Sequence, residues 1–198
     1  GKGYQWEAGT KTPFFIKTPH LNIKGKKVET PVMGADLFPT LLELAGLKNP
    51  VKVDGKSLVP LLKDQSFDER PIFWHYPHYG NQGGDPSAII RKGDWKLIKY
   101  FEDGKCELYN LKNDIGEKLD VFDQNTEMGV MLKNTLEEWL ISTNAKIPKV
   151  DPIHDQEKER EWLRNHKVKV KEMVEKRRIS ELDQNYKPNL DWWGSLVE

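Results

Sequence analysis

The sequence predicts an α+β fold whose centre is a small four-stranded antiparallel sheet with one helix packed on it, followed by a charged helical extension. Three observations predict it. Between residues 71 and 111, four short segments rich in aromatic and β-branched residues are separated by tight-turn signals, the pattern of an antiparallel meander. Met128, Met131, Leu132, Thr135, Leu136, Trp139 and Leu140 then trace one stripe at helical spacing. From Asp151 the composition shifts, with ten basic and eleven acidic side chains among the last 48 residues. Strands followed by a covering helix are the order of α+β packing.

The elements follow in order. Residues 1–32 read as loop, strand, loop. The run Thr12-Pro13-Phe14-Phe15-Ile16-Lys17-Thr18-Pro19 is apolar between prolines and predicts a buried strand. A helix comes next, with Asp36 placed to cap its N-terminus and Pro39 in the first turn, where a missing N–H costs nothing. Leu37, Leu41, Leu44 and Ala45 share one face of it, and Gly46 is a natural stop. Residues 47–70 are loop-like, with Leu58 to Leu62 able to pack one turn onto the core.

The strands begin at Pro71-Ile72-Phe73-Trp74-His75-Tyr76, which is aromatic and β-branched. A Gly-rich loop from Gly80 to Pro86 leads to Ala88-Ile89-Ile90-Arg91, a turn at Lys92-Gly93-Asp94, and a strand from Trp95 to Phe101. Asp103-Gly104 signals the next hairpin, and Cys106 to Leu111 the fourth strand. In the extension, Leu163, Val170, Met173, Val174 and Leu182 give a thin apolar stripe, read as a solvated helix or a short coiled-coil partner. The adjacent Trp192 and Trp193 are a pair expected to dock somewhere.

Composition excludes several classes. Lys+Arg and Asp+Glu are 31 each, so the basic excess usual in nucleic-acid binding is absent. Mean hydropathy is −0.73, and no apolar run approaches a membrane span. A single cysteine excludes an internal disulfide and a cysteine-based zinc site. No signal peptide opens the chain, which begins at Gly1 without Met inside what reads as a motif, as a fragment would.

Standard catalytic motifs are missing. Gly55-Lys56-Ser57 imitates the end of a P-loop, but Pro50 stands where the first glycine belongs. There is no Gly-x-Ser-x-Gly, His-Glu-x-x-His or EF-hand loop. Cys106, mid-strand beside Lys105 and Glu107, reads as a small buried apolar residue. Two clusters stand out. His75-Tyr76-Pro77-His78-Tyr79 ends a strand beside a Gly-rich loop. Its imidazoles fit either satisfied packing or a polar, aromatic site for a sugar-like or anionic group, because rings stack on sugar faces while imidazoles bond hydroxyls and anions. Gly1-Lys2-Gly3 sets a compact cation between two glycines that let backbone approach an oxyanion; a solvated surface lysine is the alternative.

Taken together, these residues carry a resemblance. Gly1-Lys2-Gly3-Tyr4-Gln5-Trp6-Glu7-Ala8-Gly9-Thr10-Lys11-Thr12-Pro13-Phe14 resembles the second signature region of the type I sulfatases, which runs Gly-Lys-Gly, a short gap, then aromatic-Glu-Gly-Gly-x-Arg-x-Pro. Asp36-Leu37-Phe38-Pro39-Thr40-Leu41-Leu42-Glu43-Leu44-Ala45-Gly46 and Asp54-Gly55-Lys56-Ser57-Leu58 look like the segments that follow there. Phe73 to Tyr79, Ala88 to Ile98 and Glu107 to Asp114 resemble the C-terminal subdomain of bacterial arylsulfatase-like enzymes. The resemblance covers about residues 1–142, in order; the remainder carries no motif of that family. Ala8 and Lys11 stand where the family has Gly and Arg, and Lys11 lacks the bidentate fork of a guanidinium, which implies a weaker structural ion pair.

The resemblance implies the C-terminal portion of an enzyme of the alkaline phosphatase superfamily. Residues 1–70 would be the end of its α/β domain, 71–145 the antiparallel subdomain with its helix, and 146–198 the charged extension with the Trp-containing tail. It implies a formylglycine nucleophile, made in a Cys/Ser-x-Pro/Ala-x-Arg motif, and a calcium ion held by Asp and Asn residues. Both belong to the family's N-terminal part, and Cys106-Glu107-Leu108 does not match the motif. No metal site is expected in this chain, which would be inactive alone.

Lys2 would contact the sulfate oxygens, with His75 and His78 at the mouth on the leaving-group side. His75 stands nearer the strand, where packing is its other role. The implied partners are a sulfated carbohydrate or aryl sulfate ester, and an N-terminal half or a second copy of the chain. The implied location is periplasmic or secreted. Two other readings are a related phosphodiesterase or phosphonate hydrolase and a non-catalytic module binding glycans or a partner chain.

Overall fold

A computed structural model describes residues 4–21, 23, 25–48, 50–80, 84–149, 151–165 and 169–186. The chain forms two compact units, Gly1–Pro148 and Lys149–Glu198.

The heart of the first unit is the expected meander, strand order β1-β2-β3-β4, all antiparallel. Its strands are β1 (Ile72–Tyr76), β2 (Ser87–Lys92), β3 (Trp95–Tyr100) and β4 (Cys106–Asn110). The β2–β3 hairpin closes through the two residues Gly93 and Asp94, with Gly93 at φ +57, a conformation that glycine reaches without a Cβ clash. Register places Ile72, Arg91, Lys96 and Tyr109 in one row across the sheet, and Tyr76, Ser87 and Tyr100 in another. Beyond β4, the Leu108 N–H donates to Asp120 Oδ1 and the Val121 N–H to the Leu108 carbonyl, which blunts that edge.

Both faces of the sheet are covered. On one, Ala88, Ile90, Leu97 and Leu108 meet Leu132, Leu136 and Leu140 of the helix α4 (Thr126–Ser142). Phe73 stacks flat on Trp139 with centroids 4.6 Å apart, and Lys99 Nζ pairs with Glu137 at 2.5 Å. Half-buried Cys106 packs against this core. On the other face, Ile89, Ile98, Tyr109 and Leu111 carry Trp6, Trp74 and Tyr100.

Among the described residues, the first 70 hold three short α-helices: α1 (Glu7–Thr10), α2 (Leu37–Leu44) and α3 (Val59–Leu62). The predicted strand over 12–19 is not formed. Phe14, Phe15 and Ile16 are exposed, Phe15 by 91%, and no described strand lies beside the segment to take its backbone hydrogen bonds. α2 forms where expected and ends on Gly46 at φ +70, with the Leu47 N–H returning to the Leu42 carbonyl at 2.9 Å.

A helix cut away from its parent sheet should leave its apolar face bare, and this one does. Leu37 and Leu41 face outward, and the buried residue is Thr40, which donates to the Asp36 carbonyl and accepts the Leu58 N–H at 2.9 Å. Asp36 precedes α2 but makes no side-chain cap bond to it. Its fully buried carboxylate instead accepts the N–H groups of Met33 and Lys56, both at 2.9 Å, and pairs with Arg70 Nη2.

That polar knot fixes Gly55. A Cβ there would lie 2.0 Å from the Ala35 carbonyl oxygen, which is backbone held by the Asp36 contacts. Gly55→Ala should therefore cost about 1–3 kcal/mol, the range for forcing atoms into a filled site. Thermal unfolding of the variant checks it; a midpoint equal to wild type would mean that the 33–36 turn yields freely.

The second unit is helical and charged. α5 (Gln156–Leu163) is capped by Asp155, which accepts from the N–H groups of Glu157 and Lys158, and α6 (Lys169–Glu181) carries the ion pairs Arg177–Glu181 and Arg178–Glu175. Val170, Met173, Val174 and Leu182 are exposed within it. Trp192 and Trp193 lie outside the described residues.

Candidate functional site

Lys2 lies outside the described residues, but the peptide it leads into is held firmly. Trp6 meets Tyr109 edge-on at 5.7 Å, within the second apolar cluster. Gln5 Nε2 donates to Tyr100 Oη at 3.3 Å. Glu7 is buried in a region that the composition gave no reason to suspect. Its Oε2 accepts from Arg91 Nη1 at 3.1 Å, and its Oε1 from Lys96 Nζ at 3.4 Å. Its backbone N–H donates to Glu117 Oε2 at 2.5 Å. Lys96 Nζ lies a further 2.7 Å from Glu117 Oε1, a contact of charges rather than an aligned hydrogen bond.

The Lys96 side chain is 0% exposed, Glu7 and Glu117 are nearly as deep, and Arg91 reaches water at one edge. Glu117 occupies a left-handed backbone conformation, φ +49, which an ordinary residue enters only when its surroundings hold it there. Two carboxylates and two cations thus close a neutral cluster at the peptide of residues 5–7. One signal was available: Lys96 sits in a strand whose neighbours Trp95, Leu97 and Ile98 are apolar, so a charge there needed a partner.

A second polar group lies along the same face. Glu107 Oε2 accepts from the hydroxyls of both Tyr100 and Tyr109 at 2.9 Å. Burial first, and the nearby carboxylate with it, pushes both phenols above their ordinary pKa, though the Gln5 contact pulls Tyr100 the other way. Both hydroxyls therefore remain donors at neutral pH.

The two histidines part company. His75 lies in β1, its ring edge-on to Phe101 at 5.6 Å, and its Nε2 is buried without a partner. His78 is exposed beyond the strand, edge-on to Tyr76 at 5.5 Å. Tyr79 follows, donating its hydroxyl to Glu102 Oε1 at 2.8 Å. Tyr76 and Tyr79 are more than half exposed, so the end of β1 presents two phenol rings and one imidazole to solvent. Such a rim can stack on sugar faces and hydrogen-bond hydroxyls or anions.

Burial pushes the His75 imidazole below its ordinary value of 6.5, opposed by a hydrogen bond to the Lys146 backbone and aided slightly by His78. The sign follows from linkage: below 6.5 the unfolded chain binds the proton more readily than the folded one, so stability falls as pH falls toward the folded pKa. Thermal unfolding between about pH 7 and about pH 5 should drop more steeply for wild type than for His75→Gln. Parallel profiles would remove His75 from the acid response.

Among the described residues, no group of three or more His, Cys, Asp or Glu side chains is placed to hold a metal ion. Cys106 is a strand residue with Sγ near the Gly104 carbonyl and a thiol pushed up in pKa by burial. These residues do not make a calcium or formylglycine site. Among the same residues, no helix is long and apolar enough to cross a membrane.

Comparison with known proteins gives consistent matches. The family model for N-sulphoglucosamine sulphohydrolase, C-terminal, matches residues 1–146. A sulfatase of Formosa agariphila is 35% identical over 163 residues, covering 73% of this chain and 29% of that protein. An N-acetylglucosamine-6-O-sulfatase of Bacteroides thetaiotaomicron is 30% identical over 129 residues, covering 61% of this chain and 23% of its own length. A solved structure in complex with its substrate D-glucosamine-2-N,6-O-disulfate aligns at 30% identity and a TM-score of 0.47, over 53% of this chain and 23% of that one. The chain spans less than a third of the length of these relatives.

Proposed function

The chain belongs to the N-sulphoglucosamine sulphohydrolase C-terminal family, and from that membership we propose that it is the C-terminal portion of a sulfatase that hydrolyses sulfate esters of a sulfated carbohydrate. The observation that carries this reading is the family match, which spans residues 1–146 and so takes in the sheet and α4. Glucosamine sulfatases among the relatives support a sulfated amino sugar as the substrate class. A periplasmic or secreted setting agrees with such substrates.

In this reading the residues divide the work. Lys2 contacts the sulfate oxygens and neutralises charge as the S–O bond breaks. His78, with Tyr76 and Tyr79 beside it, faces the sugar that leaves. His75, half-buried against Phe101, holds the strand end from which His78 projects. The nucleophile and metal chemistry would come from an N-terminal α/β body.

The exposed apolar residues of the first 70 mark where that body would sit. Phe14, Phe15, Leu37, Phe38 and Leu41 all face solvent, and large contiguous apolar patches mark interaction sites. The test is reconstitution. The chain alone should show no turnover of an aryl sulfate or a sulfated glucosamine, should bind an apolar dye, and should self-associate in light scattering. Supplying a formylglycine-bearing N-terminal sulfatase body, in trans or by fusion, should suppress the dye signal and give turnover of both. Turnover by the rigorously purified chain, or a dye-silent monomer, would overturn the reading.

A further inference from the structure

We propose that Glu102 sets which amino sugar the rim accepts: its carboxylate, held beside the exposed rings by Tyr79, receives a protonated amine and disfavours the N-sulfated and N-acetylated forms of the same sugar. The inference rests on the reading of Tyr76, His78 and Tyr79 as the face that meets the sugar.

It starts from a bond that crosses the end of the sheet. Tyr76 closes β1, and the register sets it opposite Ser87 of β2, which lies opposite Tyr100 at the end of β3. Two strand spacings, about 10 Å, therefore separate Tyr76 from Tyr100. Yet the Tyr79 hydroxyl, three residues past β1, donates to Glu102 Oε1, two residues past β3, at 2.8 Å. The segment 77–79 thus folds across the end of β2 as a strap. Both of its ends are pinned. The Gly80 N–H donates to the Gly84 carbonyl at 3.1 Å. The Phe101 N–H donates to the Pro86 carbonyl and the Tyr100 N–H to the Lys105 carbonyl, both at 2.9 Å, which holds the turn that carries Glu102.

The strap brings a carboxylate to the rim. Glu102 is exposed, as are Tyr76, His78 and Tyr79. Lys105, the lysine of the same hairpin turn, gives its Nζ to Glu107 at 2.6 Å. Among the described residues, none of the ion pairs includes Glu102. Its charge is therefore uncompensated, and Tyr79 engages only Oε1. An ionised carboxylate only accepts, so whatever seats against it must donate. An ammonium offers three charged donors, and a hydrogen bond between two charged groups is about twice as strong as one between neutral groups. The phenol faces beside it stack on a sugar ring and also attract a cation. An N-sulfate would bring a like charge to the same place, and an N-acetyl group leaves a single neutral N–H. The rim thus sorts sugars at their nitrogen, a choice separate from the sulfate ester that is cleaved.

Glu102→Gln separates the charge from the strap. Glutamine keeps an oxygen for the Tyr79 hydroxyl but carries no charge. In a complete sulfatase carrying this chain, kcat/KM is measured on glucosamine 6-sulfate and on its N-acetyl and N-sulfo forms. The measurements are made at about pH 6, below the range in which an α-amino group titrates. Wild type should prefer the free amine by at least about tenfold over either other form, and Glu102→Gln should cut that preference about tenfold, mainly through KM. Amide exchange at residues 77–80 of the chain itself should match wild type in this variant, as an intact strap requires. An unchanged preference in Glu102→Gln overturns the proposal. So does a preference that falls together with faster exchange at 77–80, because the strap and not the charge would then set it. A wild-type enzyme that favours the N-acetylated or N-sulfated sugar overturns it as well. No turnover of any of the three sugars, with an aryl sulfate still hydrolysed, instead removes the reading beneath the proposal and the proposal with it.

Discussion

Lys96→Ala should lower the stability of the first unit by about 3–5 kcal/mol, the usual result of breaking a buried ion pair from one side. The Lys96 ammonium is fully buried between Glu7 and Glu117. Removing it leaves Glu7 with Arg91 but strips Glu117 of its cation, at a depth where an uncompensated carboxylate is expensive. It also opens space on β3, the strand next to the β4 edge, opposite Tyr109. Urea unfolding followed by tryptophan fluorescence measures the loss. A triple variant, Glu7→Gln with Lys96→Met and Glu117→Gln, should recover part of it, because no anion is then left unpaired. A loss under about 1 kcal/mol for Lys96→Ala would mean that water or a movement of Glu117 reaches the site.

The second large effect concerns catalysis by a complete sulfatase carrying this chain. Lys2→Ala should lower kcat by about 10²–10³-fold on every substrate, because the sulfate is common to all and its charge shifts toward the leaving oxygen in the transition state. His78→Ala should act differently. His78 is exposed beyond β1 among Tyr76 and Tyr79, and on the proposed reading it would meet the part that varies between substrates. Its loss should raise KM for a sulfated sugar by the equivalent of about 1–3 kcal/mol, with little change on a small aryl sulfate. Kinetics of both variants on both substrates decide. If Lys2→Ala left kcat unchanged, or His78→Ala were neutral on every sulfated sugar, that residue would lose its role.

The meander and α4 were legible because their signals are local. Aromatic and β-branched runs, the Gly93 and Asp103-Gly104 turns and a single apolar helix stripe each constrain a few consecutive residues, and the structure keeps all four strands in the expected order. The stop of α2 at Gly46 was readable for the same reason. Where the reading failed, the missing information was a neighbour. Thr12–Pro19 has the composition of a strand, but a strand exists only when another backbone takes its hydrogen bonds. The burial of Thr40, which the sequence did not announce, likewise comes from what packs beside α2.

The sequence by itself determined the four strands and their turns, α2 and α4, and through its ordered motifs the family to which the chain belongs. Only the tertiary structure decided that Asp36 is a knot for Met33, Lys56 and Arg70 rather than a helix cap. It alone joined Glu7 to Arg91, Lys96 and Glu117, residues between 84 and 110 positions away along the chain. The reason is physical: periodicity reports which side of an element is apolar, whereas a buried charge is tolerable only opposite a counter-charge, and that partner is chosen by how distant segments meet.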